Sequence, residues 1–112
     1  MTLREKQAKF LKMVADLVIE ADEIGITVFV NEWYRTPERQ KELVATGKSK
    51  TLNSFHLKGL AVDLIRIKDG KVTWDYNDYI PLGKIWQKMN GVWGGSWKFR
   101  DAVHFQYAEE KS

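Results

Sequence analysis

One acidic residue interrupts the most apolar stretch of this chain, and no other feature constrains the fold as tightly. From Gly59 to Ile67 the residues run Gly-Leu-Ala-Val-Asp-Leu-Ile-Arg-Ile. Around Asp63 both faces of an extended chain are apolar, the pattern of a strand flanked on both sides, so the run predicts a central strand. A carboxylate buried there is costly unless a cation compensates it. An ion pair with a Lys or Arg side chain, or a place on an exposed edge, would also account for it.

The rest of the chain supplies elements to surround that strand. Thr2 followed by Glu5 is a capping-box pattern, and Phe10, Leu11, Val14, Leu17, Val18 and Ala21 recur at helical spacing, which predicts an amphipathic helix over residues 3–23. Ile26 to Val30 reads as a strand entered after Gly25. Thr36-Pro37 then starts a helix ending near Gly47, with Arg35 at the junction. Residues 48–55 are polar and irregular. Asp69-Gly70 predicts a tight hairpin into Lys71–Trp74. Tyr79, Leu82, Ile85, Trp86 and Met89 predict a helix, with Pro81 in its first turns and a stop at Asn90-Gly91. Trp93-Gly94-Gly95, Trp97 and Phe99 read as a Gly-rich loop before a closing strand from His104 to Tyr107. The expectation is an α+β fold, a small and mainly antiparallel sheet with helices packed on one side.

At 112 residues there is room for one hydrophobic core, so residues 1–112 are expected to form a single domain working as a monomer. With 44% hydrophobic and 29% charged residues and no low-complexity run, the composition is that of a folded globular protein. The absence of cysteine excludes disulfides, thiolate metal sites and cysteine nucleophiles. Charges interrupt the apolar residues of the first helix, which predicts neither a signal peptide nor a membrane span. The net charge of +3 favours encounters with an anionic polymer. Because Lys and Arg are scattered rather than gathered into a stripe, no nucleic-acid partner is expected.

Only two histidines are present, His56 just upstream of the Asp63 strand and His104 at the start of the closing strand. Either alone reads as a packed or surface residue. Taken with Asp63, they make a set of two imidazoles and one carboxylate that gives zinc three protein ligands and leaves a position for water, as in catalytic sites. Asp101, three residues before His104, is a second carboxylate close by. Metal-water chemistry on an amide needs such a base. Residues three apart on a strand point to opposite faces, so Asp101 must lie in a bend before it; a surface acid beside Arg100 is the plain alternative. Arg35 could bind a substrate carboxylate or a developing oxyanion, or be a solvated residue at a helix start. Ser54 and Gln106 could donate hydrogen bonds to substrate. The aromatic residues could line a groove or simply fill the core.

At these residues the chain resembles the VanX/VanY-like zinc peptidases, which comprise D-alanyl-D-alanine carboxypeptidases and dipeptidases together with L-alanyl-D-glutamate endopeptidases found as phage endolysins. Ser54-Phe55-His56-Leu57-Lys58-Gly59-Leu60-Ala61-Val62-Asp63 matches the Ser-x-His-x-x-Gly-x-Ala-x-Asp zinc signature. Gly94-Gly95-Ser96-Trp97 and Asp101-Ala102-Val103-His104-Phe105-Gln106 are similar to segments of the endolysin branch, and Tyr34-Arg35-Thr36 with Gln40 to the Arg-bearing segment. The resemblance implies the scaffold shared with hedgehog-type domains. It also implies one zinc per chain on His56, Asp63 and His104, with Asp101 as base where many relatives carry Glu. The implied substrate is the stem peptide of bacterial peptidoglycan, cut as an L-alanyl-D-glutamate endopeptidase. The implied location is the host cytoplasm, with access to the wall after a holin opens the membrane. A D-alanyl-D-alanine carboxypeptidase or dipeptidase, or a non-catalytic zinc-stabilised wall-binding module, would keep the same ligands.

Overall fold

The apolar run around Asp63 becomes the longest strand of a five-stranded antiparallel sheet in the computed structural model, which describes residues 1–49 and 51–109. Of the expected 1–112 domain, Lys50 and residues 110–112 lie outside the described residues. In chain order the elements are α1 (Leu3–Glu23), β1 (Thr27–Glu32), α2 (Pro37–Ala45), β2 (Ala61–Lys68), β3 (Lys71–Thr73), α3 (Ile80–Lys88), β4 (Val92–Trp93) and β5 (His104–Gln106). The sheet runs β1-β2-β5-β4, with β3 also paired to β2. β2 is therefore flanked on both sides, as its two apolar faces require.

Alternation along β2 divides its side chains between two environments. Leu60, Val62 and Leu64 join Phe10, Val14, Leu17 and Ala21 of α1, Leu82 and Trp86 of α3, and Phe105 of β5 in one buried core. The helical layer on that face is α1 and α3. The α1 stripe is narrower than the periodicity suggests, because Leu11 and Val18 are exposed. Its start follows the expected chemistry: Thr2 accepts from the Glu5 amide, and the Glu5 carboxylate accepts in return from the Thr2 amide. Rings lock the helices to the sheet, with Trp86 edge-on to both Phe10 and Phe105.

The turns follow their residues. Asp69 and Gly70 both take positive φ, as a two-residue hairpin of this type demands. A short 3-10 turn at Tyr76–Tyr79 precedes α3, Pro81 sits in the first turn of α3, and Asn90 at φ 67° ends its path. One strand escaped the sequence pattern. β4 has only two residues, too few to show a period, yet Trp93 pairs with Phe105 and enters the core. The Trp93 ring closes tightly over the chain: a Cβ on Gly83 would collide with it.

Candidate metal centre

The opposite face of the sheet carries a row of polar residues. Cross-strand pairing places Glu32 of β1 beside Asp63 of β2, and Asp63 beside His104 of β5. Glu32 reaches this face through a bulge: Val30 pairs with Leu64 and Glu32 with Asp63, so Asn31 is the extra residue. Were the ladder regular through Asn31, Glu32 would pair with Val62 and share the helix-covered face with Val28.

His56 comes from outside the sheet. It sits on a 3-10 turn, Phe55–Lys58, whose start is capped by the Ser54 hydroxyl accepting from the His56 amide at 3.2 Å. Gly59, at φ 66°, ends the turn and feeds the chain into β2. The turn and the strand together bring His56 Nε2 to 3.2 Å and His104 Nδ1 to 3.3 Å from one atom, Asp63 Oδ1. One ligand atom from each of the three residues lies within 4.8 Å of the others.

The far side of each ring decides what the near side can be. His56 Nδ1 lies 2.7 Å from the Trp33 carbonyl oxygen, which can only accept, so that nitrogen carries the proton. His104 Nε2 meets Gln106 Oε1 at 2.7 Å and donates likewise. In neutral rings this leaves two imidazole lone pairs facing a carboxylate, an arrangement that repels itself unless a cation lies between them. Distal donation to a carbonyl is also how metal-binding imidazoles are commonly held. The donor set therefore fits a divalent metal. In the metal-free protein, protons must supply the positive charge instead. Burial opposes the Asp63 charge, but the hydrogen bonds from His104 and His56 outweigh it and hold the carboxyl down to about 2. Burial also opposes the charge on His104, and the contacts to Asp63 and Gln106 overcome that and raise its pKa.

Around this cluster lies a cleft of about 790 Å³ lined by all the residues singled out in the sequence: Arg35, Ser54, His56, Asp63, Asp101, His104 and Gln106. Asp101 stands in the bend before β5, as its spacing requires. Its amide donates to the Gly94 carbonyl at 3.0 Å, and its own carbonyl accepts from the His104 amide at 3.2 Å. Its carboxylate has no hydrogen bond among the described residues. Asp101 is exposed by surface area, yet protein crowds it enough that desolvation, helped by the nearby Asp63 charge, raises its pKa. The bend is braced by the Trp93 indole donating to the Ala102 carbonyl, and the Trp97 ring lies 5.0 Å from that of His104.

Arg35 is 8% exposed and largely committed to protein partners. Its Nε and Nη2 grip both oxygens of Glu32 at 3.0 and 2.9 Å, its Nη1 donates to Gln40 Oε1 at 2.8 Å, and its Nη2 lies 3.8 Å from Asp63 Oδ2. This guanidinium holds the Glu32 carboxyl below its usual range. Three contributors were not legible as such. Glu32 reads as one more strand-end acid, Trp33 acts through a backbone carbonyl that no side-chain pattern reveals, and Trp97 was visible as part of the Gly-Gly-x-Trp resemblance but not as a neighbour of the His104 ring.

Residues 47–107 match the family described as D-alanyl-D-alanine carboxypeptidase, of the M15 peptidases, which is more than half of the chain. The chain belongs to this family. Among curated proteins it is similar to the peptidoglycan L-alanyl-D-glutamate endopeptidase CwlK of Bacillus subtilis strain 168, at 31% identity over 73% of this chain and 61% of the relative. It is also similar to the L-alanyl-D-glutamate peptidase of Listeria phage A118, at 36% identity over 74% of this chain and 31% of the relative. The chain thus spans about three-fifths of the first and under a third of the second. Among solved structures it resembles the L-Ala D-Glu endopeptidase ChiX of Serratia marcescens, with a TM-score of 0.63 and 34% identity, covering 74% of this chain and 68% of that one. Among the described residues no helix is long and apolar enough to cross a membrane.

Proposed function

We propose that this M15-family chain is a zinc peptidase that hydrolyses the stem peptide of bacterial peptidoglycan at the bond between L-alanine and D-glutamate. The observation that carries the reading is the convergence of two imidazole nitrogens, each with its far side donating, on Asp63 in the wall of a cleft that also holds a carboxylate, Asp101, with no hydrogen bond among the described residues. His56, Asp63 and His104 would hold one zinc per chain. Zinc bound there supplies Lewis acidity, which polarises the scissile carbonyl and lowers the pKa of a water.

The remaining steps belong to the chain's own residues. Asp101 takes a proton from the attacking water and passes it to the leaving amine; its raised pKa suits the second half of that exchange. Arg35, with one hydrogen on each of Nη1 and Nη2 not used by Glu32 or Gln40, offers donors to the carbonyl oxygen or to a substrate carboxylate. Ser54 uses its oxygen to accept from His56 and keeps its hydroxyl hydrogen for substrate. Gln106 spends its amide oxygen on His104 and keeps its nitrogen. Residues 1–112 act in this reading as one catalytic unit and a monomer. An endolysin role, with release from the host cytoplasm through a holin-type opening, is part of this reading, and the phage origin of one relative is in favour of that role.

Metal analysis after purification without added metal is expected to give about one equivalent of zinc, with lytic activity lost to a chelator. Digestion of purified peptidoglycan is expected to expose new amino groups on D-glutamate. Release of free D-alanine alone would place the chain with the carboxypeptidases that the family description names. New reducing sugar ends, or no zinc at all, would sink the reading.

A further inference from the structure

Gln40 lies on the second turn of α2 and is 1% exposed, unusual for an amide side chain in so small a protein. Its amide oxygen accepts from Arg35 Nη1 at 2.8 Å. Its amide nitrogen donates to Ser49 Oγ at 2.9 Å and to the Thr51 carbonyl. A guanidinium only donates and a carbonyl only accepts, so these two partners fix the amide in one orientation.

The segment beyond Ser49 depends on that amide. Lys48 and Ser49 still bond back to the Leu43 carbonyl at the end of α2. For residues 51–53, the Asn53 amide bonds to Thr51 Oγ1 within the segment, while the Ser49 hydroxyl donates to the Thr51 carbonyl at 3.3 Å from outside it. Among the described residues, the hydrogen bonds that tie 51–53 to the body of the protein converge on the Thr51 carbonyl, which accepts from Gln40 directly and from Ser49, itself held by Gln40 and by the Leu43 carbonyl. Ser49, Thr51 and Asn53 line the cleft, and so does Arg35 at the other end of the Gln40 amide. Arg35 in turn grips Glu32 and stands beside Asp63.

We propose that Gln40 is a positioning residue that clamps this rim of the cleft to Arg35, so that the rim is already in place when the peptide arrives. A preformed rim avoids the ordering cost that substrate binding would otherwise bear. Loss of the clamp should therefore weaken substrate capture more than it slows chemistry, provided the Arg35 contact survives. Gln40→Glu makes that separation: a carboxylate still accepts from Arg35 Nη1 but cannot donate to the Thr51 carbonyl.

The turnover arm rests on the peptidase reading; the structural arm does not. The full metal-loaded chain is treated with trypsin, and the cleavage rate within residues 48–54 is compared with the rate at Lys and Arg sites elsewhere. In Gln40→Glu the rim-to-elsewhere ratio is expected to rise about fivefold, the effect of losing one net hydrogen bond, with metal content unchanged. On peptidoglycan fragments KM should rise by a similar factor while kcat stays within about twofold. Ser49→Ala, which removes a single hydroxyl, is the milder variant and should raise the ratio about twofold. An unchanged ratio in both variants, or a uniform rise at all sites, would overturn the clamp. Selective rim cleavage with unaltered KM would overturn the positioning role. Selective rim cleavage in a protein that never digests peptidoglycan would keep the clamp and remove the peptidase reading instead.

Discussion

Gly94→Ala tests whether the cleft depends on how closely two backbone segments approach. A Cβ on Gly94 would lie 2.5 Å from the Asp101 carbonyl oxygen, 3.0 Å from His104 Cβ and 3.2 Å from Asp101 Cβ, where ordinary contact begins near 3.4 Å. The shortfall against the carbonyl is about 0.9 Å, and it falls on backbone that cannot rotate away. That carbonyl accepts the His104 amide, and the Asp101 amide donates to Gly94 itself, so the added methyl must push the bend outward. Overpacking of this kind costs about 1–3 kcal/mol in stability. Displacing a general base by about 1 Å can cost about a hundredfold in turnover. The assay is kcat/KM on solubilised peptidoglycan fragments beside a thermal melt. Gly25→Ala is the control: Gly25 has φ 79° and nothing within 4 Å of its added Cβ, so it should lose about 1–2 kcal/mol of stability with unchanged turnover. A Gly94→Ala protein that melts lower but keeps kcat/KM within about threefold would refute the reasoning, because stability alone would then account for the close approach.

Asp101→Asn should keep its zinc and lose at least about a hundredfold in turnover; retention of more than a tenth of the activity would remove Asp101 from the role of base. His104→Ala should lose zinc and activity together, measured by metal analysis of the purified variant, because it deletes a ligand rather than a base. Metal affinity should fall as pH is lowered through the neutral range, read by competition with a chromogenic chelator. The sign follows from His104: its folded pKa is raised, so in the metal-free protein its proton stabilises the fold fully below about 6.5 and that contribution is lost as pH rises through the folded value. Metal must displace that proton, and binding that is flat or stronger toward acid would contradict the ligand set. The metal-free protein should also lose stability as pH falls from about 4 toward 2, since the depressed Asp63 pKa contributes only while its carboxylate stays charged.

The central strand and the amphipathic helices were legible because burial imposes a period on sequence. β2 announced itself by apolar residues on both faces, and α1 and α3 by a repeat near 3.6. Asp63, His56 and His104 stood out for a related reason: each puts a polar group where the surrounding residues call for burial. The pattern could not see what depends on register. Glu32 faces the centre only because Asn31 bulges out of β1, and a one-residue slip exchanges the two faces of a strand. The Trp33 carbonyl, which sets the proton on His56, carries no side-chain signature. Arg35 illustrates the limit most clearly. Its residue type and place before a helix were readable, and they suggested a donor aimed at substrate. Whether its fork is free depends on Glu32 and Gln40, three residues before it and five after it, and only folding shows that both reach it. A guanidinium held on three sides adds little freedom to the cleft but a fixed direction, which is what a donor to a developing oxyanion requires.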